Sequence, residues 1–346
     1  LFSLFFKNNN CLNKQYMQYK AFVADETESG FLQSVKILDT DKLPEGELLV
    51  KVHYSSLNYK DALSATGNKG VTKNYPHTPG IDAAGVVVKS DVAEYSAGDE
   101  VIVTGYDLGM NTPGGYGEYI SVPAEWAVKL PAGLTLKESM IIGTAGFTAA
   151  ISLSRLSQLV KPADGKVLVT GATGGVGSVA LSLLSKLGYQ TVAVSGKETE
   201  YEFLKELGAT EIIARSVFQE ADKRPLLSAT FAGAIDTVGG PILEKILKQL
   251  HPLGAVTTCG SVSSTQLNMT VFPFILRGIS LIGISAQNYP TALRKPLWEK
   301  LAAEWKPDHL LEIYNEITLD DLQSAIGDIL QGKLRGRTIV RHDAII

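Results

Sequence analysis

Apolar and polar positions alternate in short runs over the first third of the chain. "GELLVKVHYSSLN" (46–58), "GIDAAGVVVKS" (80–90), "GDEVIVTGY" (98–106) and "GGYGEYISVP" (114–123) are rich in Val, Ile, Leu and Tyr, and glycine or proline closes or opens each. Such runs predict a small barrel-like β domain. The rhythm changes near residue 135. "LKESMIIGTAGFTAAISLSRL" (136–156) has helical periodicity and no strand alternation. Six short buried-type strands then alternate with helical stretches: 166–171, 190–195, 211–214, 233–238, 254–260 and 280–285, with helices at 174–187 and 198–207 among the connections. Strands of this kind separated by crossovers make a parallel, doubly wound α/β sheet. After residue 288 the pattern is mixed, and it ends on the strand-like "GRTIVRH". This predicts an α/β unit inserted into the β-rich domain.

Composition fits two domains. The chain has 346 residues, 45% of them hydrophobic, which is ample for more than one core. The net charge is -4, and no basic stripe or polybasic run points to nucleic acid or an anionic membrane. No run of about 18 apolar residues predicts a membrane span. Two cysteines, Cys11 and Cys259, fit a reduced, cytoplasmic protein better than a disulfide framework. The opening "LFSLFFKNNNCLNKQY" lacks the layout of a signal peptide, and residues 1–16 are expected to be a vector-derived or upstream-translated leader.

The stretch "VLVTGATGGVGSVALSLLSKLG" (167–188) carries the most chemistry. Ala172, Gly174 and Gly177 occupy the three key positions of the G-x-G-x-x-G template, with alanine in place of the first glycine. A bare turn would also contain glycines. Here the stretch follows the first strand of a six-strand alternation and opens a helix, which is the context that favours a pyrophosphate cradle. The end of the second strand reads "AVSGK". An NAD site would place Asp or Glu there, whereas Ser195, Gly196 and Lys197 carry none. A 2′-phosphate would suit Ser195 and Lys197, and Arg215 could add a bidentate partner. NADP is therefore expected over NAD.

"SSLNYKDAL" (55–63), "PGIDAAGVV" (79–87), "GDEVIVTGYDLGM" (98–110), "VTGATGGVGSVA" (169–180), "AVSGK" (193–197) and "AGAIDTVGG" (232–240) occur in that order. Together they resemble the medium-chain dehydrogenase/reductase superfamily, in particular its zinc-free quinone oxidoreductase-like branch and the YhdH/YhfP group that includes acryloyl-CoA reductases. The resemblance implies a GroES-like catalytic domain (17–134 and 288–346) and a Rossmann domain (135–287), with the active site between them. It also implies NADP(H) and a homodimer joined through the last Rossmann strand. The cofactor would be bordered by Tyr59, Thr144, Thr148, Thr173, Gly174, Gly175, Val176, Gly177, Ser195, Gly196, Lys197, Arg215, Gly260, Ser261, Ser285 and Arg337.

No catalytic zinc is expected. Ile81 stands where zinc-dependent relatives have a ligand histidine, two cysteines cannot build a structural-zinc lobe, and the five histidines are scattered. Hydride would then go to a carbon made electron-poor by conjugation, leaving an enolate that must be stabilised and protonated. "NYKD" is the candidate constellation. Asn58 could donate to the oxyanion or to nicotinamide, Tyr59 could touch ribose or substrate, and Lys60 with Asp61 could form a proton-donor pair. A structural ion pair of Lys60 with Asp61, and proton delivery by solvent, stay open. Arg277 and Arg337 could meet CoA phosphates or lie on the surface. Asp82 and Asp236 read as structural hydrogen-bonders, and Cys259 as a packed thiol. Three functions remain open: an NADPH-dependent reductase of 2-enoyl-CoA such as acryloyl-CoA, a quinone or enal reductase, and a catalytically silent NADPH binder.

Overall fold

A computed structural model describes residues 17–220 and 222–342. The expected leader, residues 1–16, lies outside them. The six expected strands of the second half form one parallel sheet: Val167–Thr170, Thr191–Ser195, Glu211–Ala214, Phe231–Asp236, Leu250–Thr258 and Ser280–Gly283. Numbered one to six along the chain, they lie in the order 3-2-1-4-5-6, which is the Rossmann order. The reversal between strands one and four opens a crevice at their C-terminal ends. Strands one and two are buried along their whole length, which is why they read as unbroken apolar runs.

The β-rich lobe is GroES-like. Leu48–Leu57, Asp82–Ser90, Glu100–Thr104 and Ala127–Lys129 pair antiparallel in sequence, and Tyr119–Val122 adds to Leu48–Leu57. The C-terminal strand Arg337–Arg341 completes this sheet by pairing antiparallel with Leu48–Leu57, and Tyr314–Ile317 lies parallel beside it. A hairpin, Gln18–Thr27 with Gly30–Asp39, packs alongside.

Leu136–Leu156 joins the lobes. It is long and apolar enough to cross a membrane on composition, yet 83% of its apolar window is buried inside the protein. Its side chains belong to one continuous core that takes in Ile102 and Val128 from the β-rich lobe, Val167 and Leu183 from the Rossmann lobe, and Trp298 from the helix Thr291–Ala302. Trp298 stacks on Phe147 at 5.5 Å. The helix is broken at Gly143, whose φ of 52° and ψ of -164° are non-helical. A new helical start therefore falls at Thr144, facing the crevice. The stretch expected as a helix over 198–207 begins with a tight 3-10 turn, Glu198–Glu200, before Tyr201–Glu206.

Candidate active site

The crevice is a cleft of about 860 Å³ between the lobes. At one end lies the glycine turn. The helix Gly175–Lys186 starts there with Gly174 as its N-cap, and Gly174 has no side chain to occupy the first-turn donors. The N–H groups of Gly175, Val176 and Gly177 thus have no partner within the helix, and all three residues line the cleft. A Cβ on Gly177 would stand 2.3 Å from the Gly171 carbonyl oxygen, so only glycine lets helix and turn pack this closely. Ala172 is buried behind the turn. Orphan donors at a positive dipole end, on an unobstructed wall, fit a pyrophosphate.

Further along, Ser195, Gly196, Lys197 and Arg215 line the same cleft. The Ser195 hydroxyl accepts from Lys197 N at 3.0 Å, which leaves its own proton free to be donated. The Arg215 guanidinium lies over Gly196, where a Cβ would be 2.9 Å from Cζ. Lys197 reaches across to the C-terminal segment of the β-rich lobe and donates to the Leu334 carbonyl at 2.8 Å. Gly336 N donates to the Thr173 carbonyl at 2.9 Å, and Arg335 pairs with Glu200 at 3.2 Å. The segment 331–336 is thereby strapped over this end of the cleft. Sequence reasoning missed it, since its contacts span the two lobes.

At the other end the helix Tyr59–Ala65 begins at "NYKD". Asp61 is the fourth residue of a capping box: its Oδ2 accepts from Asn58 N at 2.8 Å, which turns the carboxylate inward. Its Oδ1 accepts from Ile81 N at 2.8 Å. Asp61 is fully buried and absent from the cleft wall. Lys60 points the other way, into the cleft, and donates to Gln287 Oε1 at 2.7 Å. The expected Lys60–Asp61 pair is therefore not formed, because consecutive positions on a helix start diverge.

Asn58 also takes a different role. Its Nδ2 bridges the two buried carboxylates, Asp61 Oδ2 at 3.1 Å and Asp82 Oδ2 at 2.9 Å. Its Oδ1 accepts from Arg337 Nη1 at 3.3 Å. The amide is spent inside the protein, so Asn58 cannot supply the oxyanion donor expected of it without breaking this network. Asp82 further accepts from Ser56 Oγ at 2.5 Å and from Thr144 N and Oγ1 at 2.9 and 2.5 Å. The buried Arg337 guanidinium feels the charge of both carboxylates and is linked to them through Asn58 and Ser56. Burial, then the charge of Asp82, push the Asp61 carboxyl up to about 7 against the pull of its N–H donors.

Arg337 is not a surface arginine. It is buried, donating to the Ile141 carbonyl at 2.9 Å and to Ser56 Oγ at 2.8 Å, with only part of it on the cleft wall. Arg277 binds the Lys248 and Leu250 carbonyls at 2.9 Å each, and ties backbone together away from the cleft. Thr144, Thr148, Thr173, Tyr59 and Ser285 do line the cleft. Gly260 and Ser261 do not: Gly260 packs against the Thr237 carbonyl and Ser261 faces solvent, while their neighbours Cys259, Val262 and Ser263 form the wall. Burial and Asp236 push the Cys259 thiol up to about 12. Asp236 itself accepts from Gly239 N at 3.0 Å at the start of the next helix. Tyr106, Met110 and Gln287 complete this end of the cleft, and none of the three was singled out along the chain.

Four cations lie on this wall, Lys60, Lys197, Arg215 and Arg337, and no Asp or Glu among the described residues joins them. Ile81 lines it as an apolar residue. Among the described residues, no three His, Cys, Asp or Glu side chains come together in a way that would hold a metal ion.

This combination of a GroES-like lobe, a Rossmann sheet and a glycine-floored cleft between them defines a medium-chain dehydrogenase/reductase. Residues 44–132 match the alcohol dehydrogenase GroES-like domain and residues 175–303 the zinc-binding dehydrogenase domain. The chain is 43% identical over 329 residues to the acrylyl-CoA reductase AcuI of Ruegeria pomeroyi, covering 94% of this chain and 100% of that protein. It is 43% identical to the yhdH oxidoreductase from Salmonella enterica, solved in complex with NADP, with a TM-score of 0.91 over 94% of this chain and 100% of that one. Bacillus subtilis yhfP, solved with NAD bound, gives 43% identity and a TM-score of 0.92 over the same shares. The chain belongs to the quinone oxidoreductase-like group of this superfamily, alongside the YhfP and AcuI proteins.

Proposed function

We propose that this protein is an NADPH-dependent, zinc-independent reductase of activated C=C bonds, acting on acryloyl-CoA or a related short 2-enoyl thioester. One observation carries the reading: in a chain of net charge -4, the cleft wall holds four cations and no carboxylate among the described residues. Such a wall suits two phosphorylated ligands better than a neutral quinone. The N–H groups of Gly175–Gly177 would hold the pyrophosphate, and Ser195, Lys197 and Arg215 the 2′-phosphate, while Tyr59, Thr144, Thr148 and Ser285 border the rest. Bound NADPH would supply the hydride. Lys60 supplies the positive charge at the substrate end, where a thioester carbonyl gains negative charge as the conjugated carbon is reduced. The proton for the α-carbon comes from Lys60 or solvent, since Asp61 is sealed behind Asn58. Ile81 leaves carbonyl polarisation to hydrogen-bond donors.

This reading takes 17–134 with 288–346 as the catalytic lobe and 135–287 as the cofactor lobe; the pairing of Arg337–Arg341 with Leu48–Leu57 supports it. Cys259, which has no disulfide partner among the described residues, suits a reducing cytoplasm. A homodimer through Ser280–Gly283 is part of the proposal. That strand is a sheet edge, and Val271, Ile275 and Leu276 beside it are 62%, 70% and 64% exposed. Light scattering on Ile275→Asp should show a monomer where the parent chain shows a dimer.

The enzymatic test follows NADPH absorbance with acryloyl-CoA and, in parallel, benzoquinone, each with and without a chelator and with NADH in place of NADPH. Chelator-insensitive turnover favouring acryloyl-CoA and NADPH supports the proposal. Preference for benzoquinone would replace it by quinone reduction, and tight NADPH binding without turnover of either would leave a silent binder or another substrate.

A further inference from the structure

We infer that Gln287 is a positioning residue for the substrate: it reaches over the cleft and holds the Lys60 ammonium so that the remaining donors of that ammonium meet the substrate carbonyl. The inference rests on the reductase reading above.

Lys60 and Gln287 are 227 positions apart and come from opposite lobes, yet their side chains meet at 2.7 Å on the cleft wall. A lysine has three N–H donors, so this bond leaves two for a ligand. The amide is a neutral acceptor. It fixes the direction of the ammonium without cancelling its charge, which a carboxylate at 287 would do. A full, oriented charge is what a developing enolate oxygen needs.

The backbone of Gln287 is held with unusual care for a loop. Its carbonyl accepts from Tyr106 N at 2.8 Å. That approach needs Gly105, where a Cβ would be 2.9 Å from the same carbonyl oxygen and φ is +77°. Tyr106 itself has a positive φ of 53°, a strained conformation for a bulky residue. Behind both lies Arg294, 1% exposed. Its Nη1 donates to Thr104 O and Oγ1 at 2.8 Å each, and its Nη2 to the carbonyls of Ala286 at 3.0 Å, Gln287 at 3.4 Å and Tyr289 at 3.4 Å. No carboxylate is among these partners. The guanidinium lies over the Tyr106 and Phe147 rings, 4.7 and 5.0 Å from their centroids. A buried arginine that binds only carbonyls and a hydroxyl does one thing here: it clamps the segment 286–289 onto the end of strand Glu100–Thr104. Gln287 is the side chain this clamp presents to the cleft.

The test combines kinetics with a substrate-free readout. Gln287→Ala should lower kcat/KM for acryloyl-CoA about tenfold, the effect of losing one charge-assisted hydrogen bond, with KM for NADPH unchanged. In a Lys60→Met background the same change should cost less than about twofold, because the group it positions is gone. Unchanged kcat/KM, or losses that multiply in the double variant, would overturn the inference. Separately, the pH dependence of Lys60 acylation by acetic anhydride is read by mass spectrometry. Gln287→Glu should move its midpoint up by about one pH unit, and an unmoved midpoint would also overturn the inference. Should the parent protein fail to reduce acryloyl-CoA, the function proposal falls by itself. The labelling then decides the pairing, and the same variants assayed on benzoquinone decide its role.

Discussion

Replacing Gly143 by alanine tests whether the break in the central helix is there for the site. A Cβ on Gly143 would stand 2.7 Å from Arg337 Nη2, 2.8 Å from Asp82 Oδ2 and 2.8 Å from Ser56 Oγ. All three belong to the buried network behind the cleft. The backbone at φ 52°, ψ -164° is one that only glycine adopts freely, at a cost of about 1–3 kcal/mol for other residues. Displacing the network adds about 2–3 kcal/mol, the cost of weakening charged hydrogen bonds that water cannot replace. The sum is about 3–6 kcal/mol, or roughly 4–8 °C in Tm for a chain of this size. Gly188→Ala is the control, since Gly188 has φ +79° and open space around its Cβ position, so it carries the backbone cost alone. Urea unfolding of both variants should show Gly143→Ala the more destabilised by about 2 kcal/mol or more. Equal losses would refute the close-packed network as the reason for the break. Thr144 donates to Asp82, so Gly143→Ala should also weaken NADPH binding while Gly188→Ala does not.

Arg215→Ala should lower kcat/KM for NADPH by about tenfold or more while leaving NADH within about threefold, because a partly exposed phosphate contact is worth about 1.5 kcal/mol; equal losses for both cofactors would show that Arg215 meets no 2′-phosphate. Asp61 binds a proton in the folded protein up to about 7, whereas the unfolded chain releases it near the ordinary value of 3.8. The folded state thus holds more protons in that window, and the contribution of this carboxyl to stability falls as pH rises from about 4 to about 7. Unfolding free energies of the parent chain minus those of Asp61→Asn should fall over that window, and a difference that rises or stays flat would contradict the assignment. Cys259, its thiol pushed up to about 12, should resist alkylation by iodoacetamide at neutral pH until the protein unfolds, read by mass spectrometry on the peptide that carries it, and rapid labelling of Cys259 in the native protein would show a thiol far more acidic than this.

Much of this protein is legible along the chain because the relevant physics is local. Strands one and two announce themselves as apolar runs since both faces are covered, and the glycine turn is visible because its three demands fall within a few residues. The lack of a carboxylate at Ser195, Gly196 and Lys197, where strand two ends, is equally local. "NYKD" was legible as a site but not in its parts. Whether Asp61 faces cleft or core depends on the capping box, which turns it inward onto Asn58 and Ile81, while Lys60 next to it turns out. Gly260 and Ser261 were placed one or two residues off the wall, because the facing of a loop is set by what it packs against, here Thr237.

The sequence by itself determined the two kinds of lobe, the dinucleotide turn and the preference for a phosphate at its far end, since each is written in spacing and residue type. Only the tertiary structure decided what joins the lobes. Arg337 bonded to Ser56 and Asn58, Lys197 strapped to Leu334, and Gln287 holding Lys60 are contacts between residues far apart in the chain. No local pattern encodes such pairs: Lys60, Lys197 and Arg337 read as site residues along the chain, but their partners are fixed only when the fold removes water and brings them together.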